Sequence, residues 1–134
     1  MPFLNSALYE MNGRFLLDTN AVIALLQGHP NLLLLLKNAT WVGIPIIVEI
    51  EFLSFPDLSK ADIELFKKFK NRIEVVSLES SNSVYLEQII QVRKNFKLKL
   101  PDAIIAATAT LYDATLFSND SIFQKLPNFD LEQF

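Results

Sequence analysis

Four acidic residues stand at points of the chain where carboxylates could together bind a divalent metal ion. Each of them follows an apolar segment or opens a helix-like one: Asp18 after Phe15-Leu16-Leu17, Glu51 after Ile44-Pro45-Ile46-Ile47-Val48, Asp102 after Leu100-Pro101, and Asp120 after Thr115-Leu116-Phe117-Ser118-Asn119. In an open parallel α/β sheet, ligands bind at the carboxyl ends of the strands, so we expect these side chains to meet at that edge. Two carboxylates about 6 Å apart repel each other by roughly 3 kcal/mol at an effective dielectric of about 20. A bound cation removes that cost.

Each acid also has a simpler structural explanation. Asp18 and Asp120 could cap the helices that follow them, Asp102 could be a first-turn acid favoured by the helix dipole, and Glu51 could be a solvated helix residue. Independent caps have no reason to follow apolar strands so regularly, which favours a shared site. Other acids lack this placement and are predicted to lie on the surface, namely Glu64, Glu74, Glu79, Glu87 and Asp113.

The residue types restrict which metal the site could hold. The chain has no cysteine, and its only histidine, His29, stands in a Gly-His-Pro segment that is typical of a turn. Thiolate and histidine-rich metal sites are therefore not expected. Carboxylate oxygens are hard ligands that suit Mg²⁺ or Mn²⁺.

Strand-like and helix-like segments alternate along the chain, which predicts an α/β domain without repeats. Strands are predicted at residues 14–17, 41–46, 73–78 and 114–117, with a possible fifth near residues 129–131. Helices are predicted at residues 19–27 and 31–37, from residue 47 to before Pro56, after the cap at residues 57–59, after the serines at 80–83, and from Pro101 onward. In the segment after residue 46, the spacing of Ile47, Ile50 and Leu53 suits one helix face.

Length and composition indicate one domain with a large core. Hydrophobic residues make up 51% of the 134 residues, and the mean hydropathy is +0.27, so either the core is large or a partner covers apolar surface.

No apolar run reaches the ~18 residues of a membrane span, and no signal peptide is recognisable. We therefore expect a cytoplasmic protein that is not bound to a membrane. Residues 1–10 fit neither strand nor helix and are predicted to be an N-terminal extension of a domain at residues 11–134, either a tail or an arm in a dimer.

Charge argues against tight electrostatic binding of nucleic acid over the whole surface. The net charge is −3 and the sequence pI is about 5.1. Two basic clusters remain, one at residues 67–72 and one at residues 93–99 that runs up to Asp102. Solvated helix faces are the simpler explanation for both clusters, but Lys97 and Lys99 are close enough to Asp102 in sequence to support a bound substrate.

Four segments of the chain together resemble the successive acidic motifs of the PIN-domain nucleases. The motifs are Leu16-Leu17-Asp18-Thr19-Asn20, Glu49-Ile50-Glu51-Phe52-Leu53-Ser54, Leu100-Pro101-Asp102-Ala103-Ile104-Ile105-Ala106-Ala107, and Leu116-Phe117-Ser118-Asn119-Asp120. The resemblance covers almost the whole chain from about residue 11, and it is closest to the short VapC-like toxins of VapBC toxin-antitoxin pairs. It implies a three-layer α/β/α fold with a central, mostly parallel sheet of four to five strands.

The resemblance also implies roles for individual residues. It assigns Asp18, Glu51, Asp102 and Asp120 as the acidic metal site, with Glu49 as the alternative to Glu51. Ser118 stands where the family often has a hydroxyl residue. Thr19 and Asn20 could orient Asp18.

Activity and partners follow from the same resemblance. It implies Mg²⁺- or Mn²⁺-dependent hydrolysis of phosphodiester bonds in structured RNA, such as tRNA or ribosomal RNA. It further implies restraint by a cognate antitoxin whose tail lies across the toxin and can place a basic side chain in the acidic pocket. The leucine-rich segment at residues 32–36, with Phe52 and Phe55, could supply a homodimer seam and an antitoxin groove.

Two other classes of protein remain to be considered. Receiver domains and haloacid-dehalogenase-like phosphatases also carry acids at strand ends, but Asn20 stands where the phosphatases need a second aspartate, and no lysine lies between residues 114–117 and Asp120. A non-catalytic PIN-like module that binds RNA or protein is the second alternative. Metal-dependent cleavage of RNA distinguishes it from a nuclease.

Overall fold

Five parallel strands form the central sheet of residues 13–134, the part of the chain that this computed structural model describes. The strands are β1 (Arg14–Leu17), β2 (Trp41–Pro45), β3 (Glu74–Val76), β4 (Thr115–Phe117) and β5 (Leu131–Glu132). Their order is β3-β2-β1-β4-β5, and every neighbouring pair is parallel. The predicted parallel sheet is thus confirmed. The predicted extension at residues 1–10 lies outside the described residues.

Helices connect the strands and cover both faces of the sheet. They are α1 (Thr19–Leu26), α2 (Pro30–Lys37), α3 (Ile46–Leu53), α4 (Lys60–Lys70), α5 (Ser83–Phe96) and α6 (Leu100–Leu111), followed by a 3₁₀ helix at Ser121–Lys125. Successive residues of a strand point to opposite faces. Phe15, Leu16 and Leu17 are all buried, so both faces are covered, as parallel sheets require.

Helix α6, which begins just before Asp102, lies in the core. All residues from Ala103 to Ala109 are buried. The Tyr85 hydroxyl of α5 lies 2.5 Å from Thr108 Oγ1, and Thr108 donates to the Ile104 carbonyl at 2.6 Å. This buried polar link ties α6 to α5 and fixes the position from which Asp102 projects.

The helix predicted from the spacing of Ile47, Ile50 and Leu53 is present as α3. Two of these residues are not in the core, since Ile50 is 53% exposed and Leu53 is 45% exposed. Val48 and Phe52 are buried instead. The reason is a tertiary contact, because the Phe52 ring stacks on Phe66 of α4 with centroids 4.7 Å apart.

The leucine-rich helix α2 buries more of its apolar surface than expected. Leu32 and Leu35 belong to the core, while Leu33 is 49% exposed.

In the described part of the chain, no single helix is long and apolar enough to cross a membrane. Helices α1 and α2 together are long and apolar enough by length and composition alone, but they are bent by 97° relative to each other.

The strand order creates a crevice between β1 and β4. The chain runs from β1 to β2 and β3 on one side, and then crosses to β4 on the other side of β1. Ligands of open α/β sheets bind outside the carboxyl ends of the strands at such a switch point. Here the backbone N–H of Asp18 donates to the Phe117 carbonyl at 3.3 Å, so the residues that follow β1 and β4 lie side by side.

Candidate metal centre

A cleft of about 470 Å³ lies at this switch point and contains all four acids identified in the sequence. Its walls include Asp18, Glu51, Asp102 and Asp120, together with Thr19 and Asn20. The acids come from four separate places in the chain. They are Asp18 after β1, Glu51 within α3, Asp102 in the first turn of α6 and Asp120 after β4. The sheet topology therefore brings together side chains that are up to about a hundred residues apart.

Asp18 is the most buried of the four acids, with 6% of its surface exposed. It is the N-cap of α1, and its Oδ1 accepts the Ala21 N–H at 2.8 Å. Burial raises the pKa of Asp18 above its ordinary value, and the charges of Asp120 and Glu51 raise it further. Hydrogen bonds from Ser118 and Ala21 act in the opposite direction because they stabilise the carboxylate.

Ser118 connects two of the acids. It is fully buried directly after β4, and its side chain lowers the pKa of Asp18 because it favours the carboxylate form. Its Oγ accepts the backbone N–H of Asp120 at 3.1 Å. Asp120 in turn caps the 3₁₀ helix, since its Oδ1 accepts the Ile122 N–H at 3.0 Å. Asp18 and Asp120 therefore both cap a helix, as the simpler explanation predicted. The capping hydrogen bonds hold both carboxylates at the cleft.

The two glutamates of α3 have different surroundings. Glu51 faces the cleft, and its Oε1 accepts a hydrogen bond of 2.8 Å from Thr19 Oγ1. Glu49 points elsewhere and forms an ion pair with Lys70, whose Nζ lies 2.7 Å from Oε1. Of the two candidate ligands, Glu51 is thus the one in the cleft. Thr19, predicted to orient Asp18, bonds to Glu51 instead.

Asp102 lies in the first turn of α6, directly after Pro101, and is partly buried. Burial raises its pKa, and the charges of Asp120 and Glu51 add to the effect, whereas Lys99 opposes it. Glu51 and Asp120 therefore act on both Asp18 and Asp102. Asp18 and Asp102 are thus both close enough to the Glu51 and Asp120 carboxylates for these charges to raise their pKa values.

The two lysines predicted to support a substrate lie outside the walls of the cleft. Lys97 is exposed and ends α5 in a left-handed conformation with φ of 54°. Lys99 precedes α6 and is near enough to Asp102 to influence its pKa. A role for either in binding substrate stays a prediction, with Lys99 the better placed.

Other cleft residues were not assigned to the metal site from the sequence, although Phe55 was considered for an antitoxin groove. They are Ile50, Ser54, Phe55, Ile105 and Phe123. Three of them follow an acid at helical i+3 spacing: Ser54 after Glu51, Ile105 after Asp102 and Phe123 after Asp120. Residues three apart share a helix face, so this spacing is the signal that could have found them.

The donor set fits a partly hydrated ion. All the candidate ligands are carboxylate oxygens, which suit Mg²⁺ or Mn²⁺. Within residues 13–134, however, no three His, Cys, Asp or Glu side chains are close enough to hold an ion by themselves. Mg²⁺ usually keeps several waters and is bound through one or two carboxylates plus substrate phosphates. The cleft is compatible with that mode and not with a cage made only of protein ligands.

Comparisons with known proteins agree with this architecture. The family model described as PIN domain matches residues 15–128, whereas no curated protein sequence matches the chain. The fold is similar to a chain of VapBC2 from Rickettsia felis bound to a DNA fragment from their promoter, with a TM-score of 0.73, 25% identity and coverage of 90% of this chain and 98% of that one.

Two further solved structures show the same fold. A toxin-antitoxin complex from Klebsiella pneumoniae matches with a TM-score of 0.71, 24% identity and coverage of 87% of this chain and 94% of that chain. DNA-bound VapBC from Salmonella typhimurium matches with a TM-score of 0.71, 21% identity and coverage of 90% and 97%. From the family match over most of its length, from β1 to beyond the 3₁₀ helix, the chain belongs to the PIN domain family, and it is VapC-like in fold.

Proposed function

We propose that this protein is a Mg²⁺- or Mn²⁺-dependent endoribonuclease and the toxin of a toxin-antitoxin pair. The observation that carries the proposal is the meeting of Asp18, Glu51, Asp102 and Asp120 in one cleft at the switch point of the sheet. Membership of the PIN family and the likeness to VapBC complexes support it. RNA, either tRNA or ribosomal RNA, is the proposed substrate, and the cytoplasm is the proposed location.

The chain's own residues would hold the metal in two ways. The four carboxylates supply oxygen ligands, while the Thr19 hydroxyl and the Ala21 N–H fix the orientation of Glu51 and Asp18 through hydrogen bonds. When bound, the ion would activate a water, polarise the phosphoryl group and stabilise the leaving oxygen. No histidine base is then needed. The carboxylates also need the cation, because burial and mutual repulsion oppose the ionised forms of Asp18 and Asp102.

An antitoxin is the proposed protein partner, and an apolar groove beside the cleft is its proposed binding site. This groove has a volume of about 350 Å³ and lies between α1, the end of α3 and α4. Its walls include Ile23, Phe52, Phe55, Leu58 and Leu65. An amphipathic peptide segment binds such a groove through its apolar side chains. Because Phe55 also borders the acidic cleft, a peptide here could continue toward the acids.

A homodimer is also proposed, although α2 offers less apolar surface for it than the sequence suggested. Only Leu33 of its leucine run is half-exposed. Light scattering of the purified chain at several concentrations tests the assembly. A strictly monomeric chain that also fails to bind the product of the adjacent reading frame would contradict both partner proposals.

Cleavage of RNA with Mn²⁺ tests the catalytic proposal. The parent protein should cut a mixed tRNA and ribosomal RNA substrate with Mn²⁺ and should not cut it with EDTA. Asp102→Asn should not cut it under either condition. Glu64→Gln is the matched control, since Glu64 is an exposed helical acid paired only with Lys67 at 3.4 Å, and it should cut like the parent.

A non-catalytic PIN-like module that binds RNA or protein is the second candidate function. The observation in its favour is that no three ligating side chains within residues 13–134 are close enough to hold an ion unaided. In that case the parent chain would bind RNA without cutting it, and the binding would be the same with Mn²⁺ and with EDTA.

A further inference from the structure

A further cleft, of about 720 Å³, lies at the amino ends of β2 and β3, at the opposite end of the sheet from the four acids. This amino-end cleft is bordered by the last turns of α2, by the residues that follow α4 and by the first residues of the two strands. Leu33, Leu36, Val42 and Ile73 supply apolar parts of its wall. Neither the proposed catalysis nor the proposed antitoxin groove involves it.

The amino-end cleft leaves apolar surface open to water and carries positive charge at its edge. Leu33 is 49% exposed, and Leu36 and Ile73 are only partly buried. Contiguous apolar surface of this kind marks a place where another segment binds. Lys37 and Arg72 are wall residues that are exposed, and within residues 13–134 neither has an ion-pair partner. A suitable occupant is therefore apolar and carries an acid.

The described residues begin at the wall of this cleft. The Gly13 carbonyl accepts the backbone N–H groups of Thr40 at 2.7 Å and of Trp41 at 3.2 Å. It also accepts the Thr40 hydroxyl at 3.1 Å. Both Thr40 and Trp41 line the cleft. The twelve residues that precede Gly13 are therefore attached to the sheet directly beside it.

The sequence of residues 1–12 matches the chemistry of the amino-end cleft. Phe3, Leu4 and Leu8 supply apolar side chains, and Glu10 is the only charged residue of the segment. Twelve residues are too few to bury such side chains in a core of their own. Because the segment is covalently attached beside the cleft, its effective concentration there is in the millimolar range, so even a weak interaction keeps it bound.

We propose that residues 1–12 bind in the amino-end cleft of their own chain, with their apolar side chains on Leu33 and Leu36 and with Glu10 beside Lys37. The segment then covers apolar surface of its own domain and is neither a free tail nor an arm that joins two chains. The same chain is the occupant because the segment starts at the cleft wall, whereas a second copy would first have to associate.

Fluorescence of Trp41 tests the proposal in the full-length protein. Trp41 is the only tryptophan of the chain, and it lines the cleft. Phe3→Ser, Leu4→Ser and Leu8→Ser, combined in one triple-serine variant, should release the segment. Acrylamide should then quench Trp41 more strongly than in the parent, and the emission should shift to longer wavelength.

Asn5→Ala combined with Ser6→Ala is the matched control. These substitutions shorten two polar side chains of the same segment and keep its apolar residues. Quenching and emission of this variant should equal those of the parent. Equal changes in the polar and triple-serine variants, or no change in either, would overturn the proposal.

A synthetic peptide with the sequence of residues 1–12, added to the triple-serine variant, should restore the parent emission. Half-saturation should lie below about 1 mM, because the attached segment stays bound only if its Kd is below its effective concentration. Leu33→Asn should weaken peptide binding about tenfold, the order of one partly buried leucine contact. Ile90→Asn should not weaken it, since Ile90 is 44% exposed on α5 and does not line this cleft. Absence of saturation at several times that concentration, or equal losses in both variants, would contradict the proposal.

A contact quencher attached to a single cysteine distinguishes the same chain from a second copy. The chain has no cysteine of its own, so Ser6→Cys gives a unique attachment site. The quencher at this position should quench Trp41, whereas on the exposed Ser121→Cys, beyond β4 at the other end of the sheet, it should not. The effect should remain unchanged on dilution. Quenching that disappears on dilution would assign the cleft to a second copy, and no quenching at all would mean that the segment does not bind there, so either result overturns the proposal.

Discussion

Ser118 accepts the backbone N–H of Asp120 at 3.1 Å through its hydroxyl oxygen. The same buried side chain lies across the junction between β4 and β1 and lowers the pKa of Asp18. One uncharged side chain therefore acts on two of the four acids.

Replacing Ser118 with alanine should affect both stability and the pH dependence of cleavage. The part-buried hydrogen bond from the Asp120 N–H loses its acceptor, which should cost about 0.5–1.5 kcal/mol of unfolding free energy. Asp18 loses a donor that lowers its pKa, so the acidic limb of the pH–rate profile should move to higher pH. Urea unfolding and cleavage rates at several pH values measure the two effects. An unchanged profile, or an equal change in the exposed Ser121→Ala variant, would contradict this role.

The two glutamates of α3 should respond differently to substitution. Glu51→Gln removes a carboxylate from the cleft and should abolish most Mn²⁺-dependent cleavage. Glu49→Gln breaks the ion pair with Lys70, in which the Lys70 side chain is 47% exposed and the Glu49 side chain 14% exposed, and should lower stability by about 1–3 kcal/mol while cleavage is kept. Cleavage assays and urea unfolding of both variants make the comparison. Equal activity of the two variants would mean that Glu51 is not a ligand.

Thr19 should act as a positioning residue for Glu51. Thr19→Val keeps the shape of the side chain but removes the donor that lies 2.8 Å from Glu51 Oε1. Loss of a hydrogen bond to a metal ligand typically reduces metal affinity or activity by about 10–100-fold. Calorimetric titration with Mn²⁺ measures the affinity directly. Thr19→Ser restores the hydroxyl and should recover binding, so a serine variant as weak as the valine variant would contradict the hydrogen-bonding role.

Stability in the absence of metal should depend on pH in a defined direction. The folded-state pKa values of Asp18 and Asp102 are raised above 3.8, so the folded chain binds more protons than the unfolded chain in that range. The contribution of these two groups to stability is then fully present below pH 3.8 and is lost as pH rises through their folded-state pKa values. At pH values above these raised pKa values both acids are ionised and oppose folding of the metal-free protein.

Unfolding in EDTA, measured in urea at a series of pH values, tests this sign. Asp18→Asn keeps an N-cap side chain for α1 and should remove the contribution of that group, so the variant should be more stable than the parent at pH values above the folded-state pKa of Asp18. Addition of Mg²⁺ should stabilise the parent more than the variant. If the variant were less stable than the parent in EDTA across the whole pH series, burial and repulsion would not dominate at Asp18.

Local patterns in the sequence were sufficient to predict the strands and the acids that follow them. Apolar runs end at Leu17 and Phe117, and Asp18 and Asp120 come directly or closely after them, so the strand positions and the site were found together. Because parallel strands share one carboxyl edge, the edge that carries the acids could be predicted from the strands alone, whereas the switch point between β1 and β4 depends on the strand order.

Contacts between distant residues could not be predicted in the same way. Helix α3 is apolar along most of its length, so spacing alone does not show which side is buried. Its orientation depends on the stack of Phe52 and Phe66. The same limitation applies to the hydrogen bond from Thr19 to Glu51, which joins residues 32 positions apart, and to the surroundings of Phe55.

The edge strand β5 helps to hold the turn that carries Asp120. The N–H of Ser118 donates to the Glu132 carbonyl at 3.0 Å, and the Asn119 side chain is bonded to the backbone of Phe134 at 2.8 and 2.9 Å. The residues on both sides of this turn are therefore tied to an edge strand of only two residues. Fraying of that short strand would loosen the hold on Asp120.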